Sequence, residues 1–471
     1  MKKPFAIISV VLCAALSLQA QTLSLDSCIS LALAHNRTIQ ASLVQAEKLS
    51  HDVKAYRANF FPNVKLSAQD LWSSSDGNFG VDGGYLPTYN FDPVSGSLKP
   101  NVMINPGTGT PVMNGDVPVF NQYAYFPGLN IDYKVGNIFN AGVLIEQPLY
   151  MGGKILAAYR MSKLGREMAD LGVRLSRDQV VVAVSEAYSL VVKSDAMYRV
   201  AVEYDSLLQT LMTDVRNAER RGLRTHNDVL KVQVKLAESE LQMRQAENAR
   251  QLSRMNLCHH IGLPLSSQID AMEQMPDLFP AVSDASAEAV SSRPEYEILE
   301  LKSQLAERQV QVDRSDFLPQ VVLGASYGYT DGLEVLNTKM FRKPSLGVML
   351  SVSVPIFHGG EGVHKVRSAR LEAERTRLEQ EELVGKMMLE VAQAANTLDE
   401  AGYELVLAQK SLAQAEENLR SVRKGFAVGT ESLSDVFEAQ TLWQQASAKL
   451  ATSRTSLFVA SVKYQKAAGR L

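Results

Sequence analysis

The sequence predicts a mainly α protein with transmembrane β-strands, written twice on one plan of helix, strand, strand and long helical hairpin. Three observations predict it. The chain repeats itself in register, its second half carries a heptad pattern too long for a compact globule, and four segments alternate apolar residues with small or polar ones.

The repeat is the firmest of the three. Pro148-Leu149-Tyr150-Met151-Gly152-Gly153 recurs as Pro355-Ile356-Phe357-His358-Gly359-Gly360, an offset of 207 positions, from 148 to 355. The same offset carries Gly222 to Gly429, Asp228-Val229 to Asp435-Val436, and Gln233 to Gln440. Phe60-Phe61-Pro62 matches Phe317-Leu318-Pro319 at an offset of 257, with Arg57, Val64, Leu66 and Ala68 answering Arg314, Val321, Leu323 and Ala325. The offsets differ by 50, so the first half holds about that many extra residues between Pro62 and Pro148. The first structural repeat is placed at residues 21–261 and the second at 294–471, with a linker over 262–293.

The hairpins are expected at 153–261 and 360–468. Val384, Val391, Leu398, Leu405, Leu412, Leu419 and Phe426 recur every seven residues, with Met387, Ala394, Ala401, Ala408, Ala415 and Val422 three positions after the first six. That is a coiled-coil seam in which alanine lets backbones approach closely. Val436, Trp443, Leu450, Leu457 and Tyr464 continue it on the return helix, with Ala439, Ala446, Ser453, Ala460 and Ala467. The first half is a weaker copy, Val184, Val191, Tyr198 and Met212, interrupted by Asp205. A helix from Gly360 to Phe426 would be roughly 100 Å long, and it needs neighbours of equal length to bury its seam.

Strands are expected at about 62–72, 130–148, 319–329 and 345–355. Val64, Leu66 and Ala68 alternate with Lys65, Ser67 and Gln69, and Ile131, Tyr133 and Val135 with Asp132 and Lys134. Val321, Leu323, Ala325, Tyr327 and Tyr329 alternate with Gln320, Gly324, Ser326 and Gly328. Leu346, Val348, Leu350, Val352 and Val354 complete the set. Any one of these suits a half-buried sheet, but four together with tube-length helices point to a membrane barrel. Four strands cannot close one, so the barrel must be shared between copies. Residues 73–128 are the insertion, with seven prolines and nine glycines. They read as neither helix nor core strand but as a long extracellular loop.

Residues 1–20 read as a secretory signal: Lys2 and Lys3, an apolar run from Phe5 to Leu18, and Ala20 before Gln21. No later stretch is long and apolar enough for a membrane helix. Removing Lys2 and Lys3 moves the formal net charge from −3 to −5, spread along the chain without a basic block, which argues against nucleic acid. Cys13 leaves with the signal; Cys28 and Cys258 exclude a disulfide framework by count, and their helical settings disfavour the single bridge they could form.

With the duplication, the two Pro-x-x-x-Gly-Gly junctions and the two Gly-x5-Asp-Val turns, the chain resembles the TolC-like outer-membrane efflux family over nearly its whole mature length. The segment Gly425-Phe426-Ala427-Val428-Gly429-Thr430 through Asp435-Val436-Phe437-Glu438-Ala439-Gln440 carries most of the specificity. The resemblance implies a homotrimer whose twelve strands form an outer-membrane β-barrel, continued by a periplasmic α-helical barrel. It makes Pro62, Pro148, Pro319 and Pro355 the helix–strand junctions. Gly222, Leu223, Gly429 and Thr430 become the tips that meet a periplasmic adaptor (membrane fusion) protein and, through it, an inner-membrane pump. The outer-membrane lipid would surround the barrel.

The periplasmic aperture of the family is ringed by carboxylates, which map onto Asp435 and Glu438, with Asp228 on the first hairpin. Without the resemblance, Asp435 would read as a helix cap. The chain departs from the family where a tyrosine and an arginine hold the closed tip: it has Phe426 and Glu431 there, facing Asn227 and Asp228. Other contacts are therefore expected, with Arg220, Arg221, Arg224 and Arg423 as candidates.

No cofactor or metal is expected. His358, Glu361 and His364 are spaced by three, but their counterparts Met151, Lys154 and Ala157 share no ligand chemistry. Cys258-His259-His260 lacks further ligands nearby, and no phosphate loop or nucleophile elbow occurs. The reading is a passive export conduit of an efflux or type I secretion system, not an enzyme. The rival is a non-conducting periplasmic coiled-coil adaptor or structural protein.

Overall fold

The computed structural model describes residues 21–72, 75–271, 287–335, 338–339 and 343–471. The expected signal at 1–20, and residues 272–286 of the 262–293 linker including Pro276 and Pro280, lie outside them. In chain order the elements are β1 (Gln21–Leu23), α1 (Leu25–His35), α2 (Arg37–Ala58), β2 (Asn63–Leu71), β3 (Ser75–Val81), β4 (Gly84–Pro87), β5 (Tyr89–Asp92), β6 (Ser97–Pro100), β7 (Met113–Asn114), β8 (Val117–Pro118), β9 (Tyr123–Phe126), β10 (Leu129–Met151), α3 (Lys154–Arg220), α4 (His226–Ile261), β11 (Ile269–Ala271), α5 (Ala287–Ser291), α6 (Pro294–Ser315), β12 (Gln320–Val335), β13 (Thr338–Lys339), β14 (Ser345–Ser353), α7 (Glu361–Val428) and α8 (Leu433–Ala467). They form two units. One is helical, from Gln21 to Tyr56 with Lys154–Arg314 and Gly359–Leu471; the other is a β unit, Arg57–Gly153 with Ser315–His358.

In the helical unit α3 spans 67 residues and α7 spans 68, each roughly 100 Å. Many heptad positions of the second hairpin are buried: Met387, Val391, Leu398, Ala401, Ala408 and Leu419 on α7, and Val436, Ala439, Trp443, Leu457, Ala460, Tyr464 and Ala467 on α8. On α3 a second seven-residue row, Val173, Val180, Ala187, Ser194, Ala201, Leu208 and Val215, is buried beside Val184, Val191, Asp205 and Met212. Two rows on one helix let it pack against two partners, and α3 packs against both α4 and α8. Asp205, expected to break the seam, is accommodated inside it. Leu25, Cys28, Ala32 and Ile39 from α1 and α2 join Tyr188, Leu257, Cys258 and Phe458 in a further buried cluster. Cys28 and Cys258 are both free thiols there.

The linker contains β11, which pairs in parallel with β1, and the short helix α5. Both long helices after the strands start from paired left-handed glycines: Gly152 and Gly153 at φ 61° and 85°, Gly359 and Gly360 at φ 58° and 86°. Only glycine holds such a pair without strain.

The β unit is a four-strand-wide antiparallel sheet. The 23-residue β10 lies at its centre, with β12 on one edge and β2 then β3 on the other; β14 and β13 flank β12. The register aligns the apolar residues across all four strands. Val64 sits beside Ile145, Ala325 and Val348, and Leu66 beside Val143, Tyr327 and Leu346. The alternate positions line up as Ser67, Gly142, Gly328 and Ser345.

Two expectations need correction. The strand expected at 130–148 runs to Met151, so Pro148 lies inside β10 rather than at its end. It is tolerated because the ladder shifts between Pro148 and Tyr150, skipping Leu149, which is where a residue without an N–H can sit. The insertion, expected to be neither helix nor core strand, carries β3 to β9. β3 extends the sheet along β10, and β4 pairs with β9 while β5–β6 and β7–β8 form hairpins. Thr88, Asn101, Asn121 and Gln122 join these pieces through backbone and side-chain bonds of 2.7–3.2 Å. The other three junction prolines adjoin strand ends: Pro62 and Pro319 directly precede β2 and β12, and Pro355 follows β14.

Candidate functional site: the paired hairpin tips

Each long hairpin turns through the same local device. Gly222 ends α3 with φ 72° and Gly429 ends α7 with φ 85°. The next residues, Leu223 and Thr430, donate their amides back to Ala218 O and Gly425 O, both at 2.9 Å, satisfying carbonyls the helix leaves open. The return helices then start on identical capping boxes. Thr225 Oγ1 accepts the Asp228 amide at 3.3 Å while the Asp228 carboxylate accepts the Thr225 amide at 3.1 Å. Ser432 Oγ accepts the Asp435 amide at 3.2 Å, and the Asp435 carboxylate accepts the Ser432 amide at 2.7 Å.

These bonds stabilise the ionised carboxylates. Bonding to Ser432 holds the Asp435 carboxyl below the usual aspartate range, and bonding to Thr225 does the same for Asp228. Thus two of the three acidic positions expected at an aperture, Asp228 and Asp435, also complete the capping boxes of their own helices. Thr225 and Ser432 were missed by the sequence reading, although Ser/Thr-x-x-Asp before an apolar run signals this box. Glu438 is exposed one turn after Asp435 on α8.

The two tips meet through an apolar cluster. Leu208, Leu211, Met212 and Val215 of α3, Val229 and Val232 of α4, Leu419 of α7, and Leu433, Val436, Ala439 and Trp443 of α8 are buried together, with Phe426 packed against them. Over Phe426 lies the Arg224 guanidinium, 4.4 Å from the ring centroid. This cation–π contact joins the two turns at the position where the family's tyrosine would need its hydroxyl. The other three candidate arginines, Arg220, Arg221 and Arg423, are exposed. Glu431 lies against Gly425 of its own turn. Gly222, Leu223, Gly429 and Thr430 are all exposed, Leu223 by 72%.

Among the described residues no three His, Cys, Asp or Glu side chains converge to hold a metal. The His358 ring stands edge-on to Phe317 at 5.9 Å. Burial and the neighbouring Cys258 push the Cys28 thiol up to about 11, far from thiolate reactivity. Among the described residues no helix is long and apolar enough to cross a membrane.

Comparison with known proteins agrees with this architecture. The model of the family described as outer membrane efflux protein matches residues 285–470. The alkaline protease secretion protein AprF of Pseudomonas aeruginosa is 24% identical over 334 residues, 69% of either chain. The outer membrane protein TolC of Escherichia coli is 24% identical over 183 residues, 36% of either chain. Among solved structures, the CmeC outer membrane channel of Campylobacter jejuni shares the fold with a TM-score of 0.72 at 18% identity, over 94% of this chain and 85% of that one.

Proposed function

We propose that this chain, a member of the TolC-like outer-membrane efflux proteins, is one of three subunits of a passive export conduit through the outer membrane. It would be driven by an inner-membrane transporter through a periplasmic adaptor. One observation carries the reading: the four-strand sheet has two open edges and an apolar row across one face. Every residue of the edge strands β2 and β14 is exposed in the single chain. In lipid, strand edges must be closed, and copies of the same sheet joined edge to edge close them. Three copies supply the twelve strands that the family resemblance implies. The row through Val64, Ile145, Ala325 and Val348 would face lipid, and the row through Ser67, Gly142, Gly328 and Ser345 the lumen.

At the hairpin tips, Asp435 and Glu438 on α8, with Asp228 on α4, would ring the periplasmic aperture. Crowded carboxylates there favour cations. The exposed Gly222, Leu223, Gly429 and Thr430 would form the surface an adaptor meets. The chain offers no nucleotide loop, so energy for export comes from the partner.

The test is conductance of the purified oligomer in a planar bilayer, comparing wild type with Asp435→Asn/Glu438→Gln. Asparagine keeps an acceptor for the Ser432 amide, so the charge is removed while the cap survives. A small cation-preferring conductance that grows and loses selectivity in the variant is expected. A channel indifferent to the change removes the aperture assignment. An inserted oligomer that conducts nothing favours the structural rival.

A further inference from the structure

The long helix α3 faces a choice that its apolar seam cannot make. It packs against α4 and α8, and these two helices are copies of each other, related by the offset of 207 and opened by the same capping box. Heptad layers of valine, leucine and alanine fit either one.

Polar groups distinguish them. Ser194 Oγ lies 2.6 Å from Ser253 Oγ of α4, both buried. Ser239 Oγ of α4 donates to Asp205 Oδ1 at 2.6 Å, and the two residues are only 1% and 5% exposed. Asp195 Oδ1 accepts from Arg250 Nε at 2.6 Å and Arg254 Nη2 at 3.3 Å. At the equivalent positions the second hairpin is almost wholly apolar. Ser194 and Ser253 correspond to Ala401 and Ala460, Asp205 and Ser239 to Leu412 and Ala446, and Asp195, Arg250 and Arg254 to Gly402, Leu457 and Ser461. Ala401 and Ala460 are themselves buried in one cluster.

We propose that these buried polar pairs are a pairing code, which directs α4 rather than its homologue α8 onto the polar face of α3. With α8 in that place, Asp205 would face Ala446 and Ser194 would face Ala460. Each orphaned buried group disfavours the wrong arrangement by on the order of tenfold, and more where a charge is stranded. A single polar residue in a coiled-coil seam sets register and partner in this way, at some expense in stability. The code matters most where hairpins of several copies lie side by side, but it operates within one chain and does not depend on conduction.

The test compares four full-length proteins by lysine cross-linking with mass spectrometry and by circular dichroism. They are the wild type; Ser194→Ala/Ser253→Ala/Asp205→Leu/Ser239→Ala/Asp195→Gly/Arg250→Leu/Arg254→Ser, with two apolar seams; Ala401→Ser/Ala460→Ser/Leu412→Asp/Ala446→Ser/Gly402→Asp/Leu457→Arg/Ser461→Arg, with two polar seams; and all fourteen changes together, which exchange the code. Chains whose seams differ, the wild type and the exchanged one, should give a single cross-link map. Chains whose seams match should keep their helix content but add links of the alternative pairing at intensity comparable with the native ones. An all-apolar chain with the wild-type map alone would overturn the proposal. That chain decides by itself if the exchanged one does not fold, because its seams only repeat one with which the protein already folds.

Discussion

Replacing Ser432 by alanine removes the oxygen that accepts the Asp435 amide and leaves that donor to water. The expected loss is roughly 1 kcal/mol of local stability, seen as faster amide exchange in the first turn of α8 with α7 unchanged. Thr225→Ala should do the same to α4. Both aspartates have a folded-state pKa below the ordinary aspartate value of 3.8. Their contribution is therefore complete above that value and is lost as pH falls through the lowered one. Amide protection at both tips should accordingly be level at neutral pH and drop only in acid, and Asp228→Asn/Asp435→Asn should flatten the drop. At the contact between turns, Arg224→Ala should weaken the tip by about 0.5–1 kcal/mol, and Phe426→Ala by more, because the ring also packs against the apolar cluster. The double variant should be no worse than Phe426→Ala alone, since the ring's loss already removes the contact with Arg224. Additive losses in that cycle would show that the ring and the guanidinium act separately.

At the scale of elements, the insertion leaves and re-enters the sheet at one point. A Cβ on Gly83 would stand 2.9 Å from the Gly128 amide nitrogen, and one on Gly128 would stand 2.8 Å from that of Gly83. Joining residue 83 directly to 128 should therefore leave the β3–β10 register, Val81 against Leu129, undisturbed. The truncated chain should still form a heat-modifiable oligomer on gels; loss of that oligomer would show that the insertion takes part in assembly. The glycines at 222 and 429 and the Gly-Gly pairs at 153 and 360 were visible because left-handed backbone demands one residue type, and the repeat printed that demand twice. The four strands were visible because a sheet with distinct faces imposes a period of two. Pro148 misled because proline usually marks a strand's end, whereas here the shift past Leu149 absorbs it. Strands β4 to β9 of the insertion were hidden because two- to four-residue ladders between prolines and glycines have too few positions for any period to emerge. The contact of Arg224 with Phe426 was hidden too, since the four arginines near the tips are equivalent until the helices fix which one reaches the ring.

At the scale of the whole molecule, the proposed conduit requires what the single chain leaves unfinished: two open sheet edges and helices far longer than their burial within one copy can explain. A charged residue placed in the apolar row, such as Val348→Lys, should lower the yield of inserted oligomer, by roughly 2–4 kcal/mol if the position sits at mid-membrane. Ser345→Lys on the other row should leave yield intact and alter ion selectivity. Equal effects at both positions would mean the faces are assigned wrongly. The tips carry a different kind of consequence. Each turn is fixed by its own glycine, its own back-bonded amides and its own capping box, so none of its shape waits for a partner. A protein that docks there meets a surface already in its bound form and gives up little entropy on arrival. Its association rate should therefore be limited by orientation on encounter, about 10⁵–10⁷ M⁻¹s⁻¹, and affinity changes among tip variants should appear in how fast the complex falls apart.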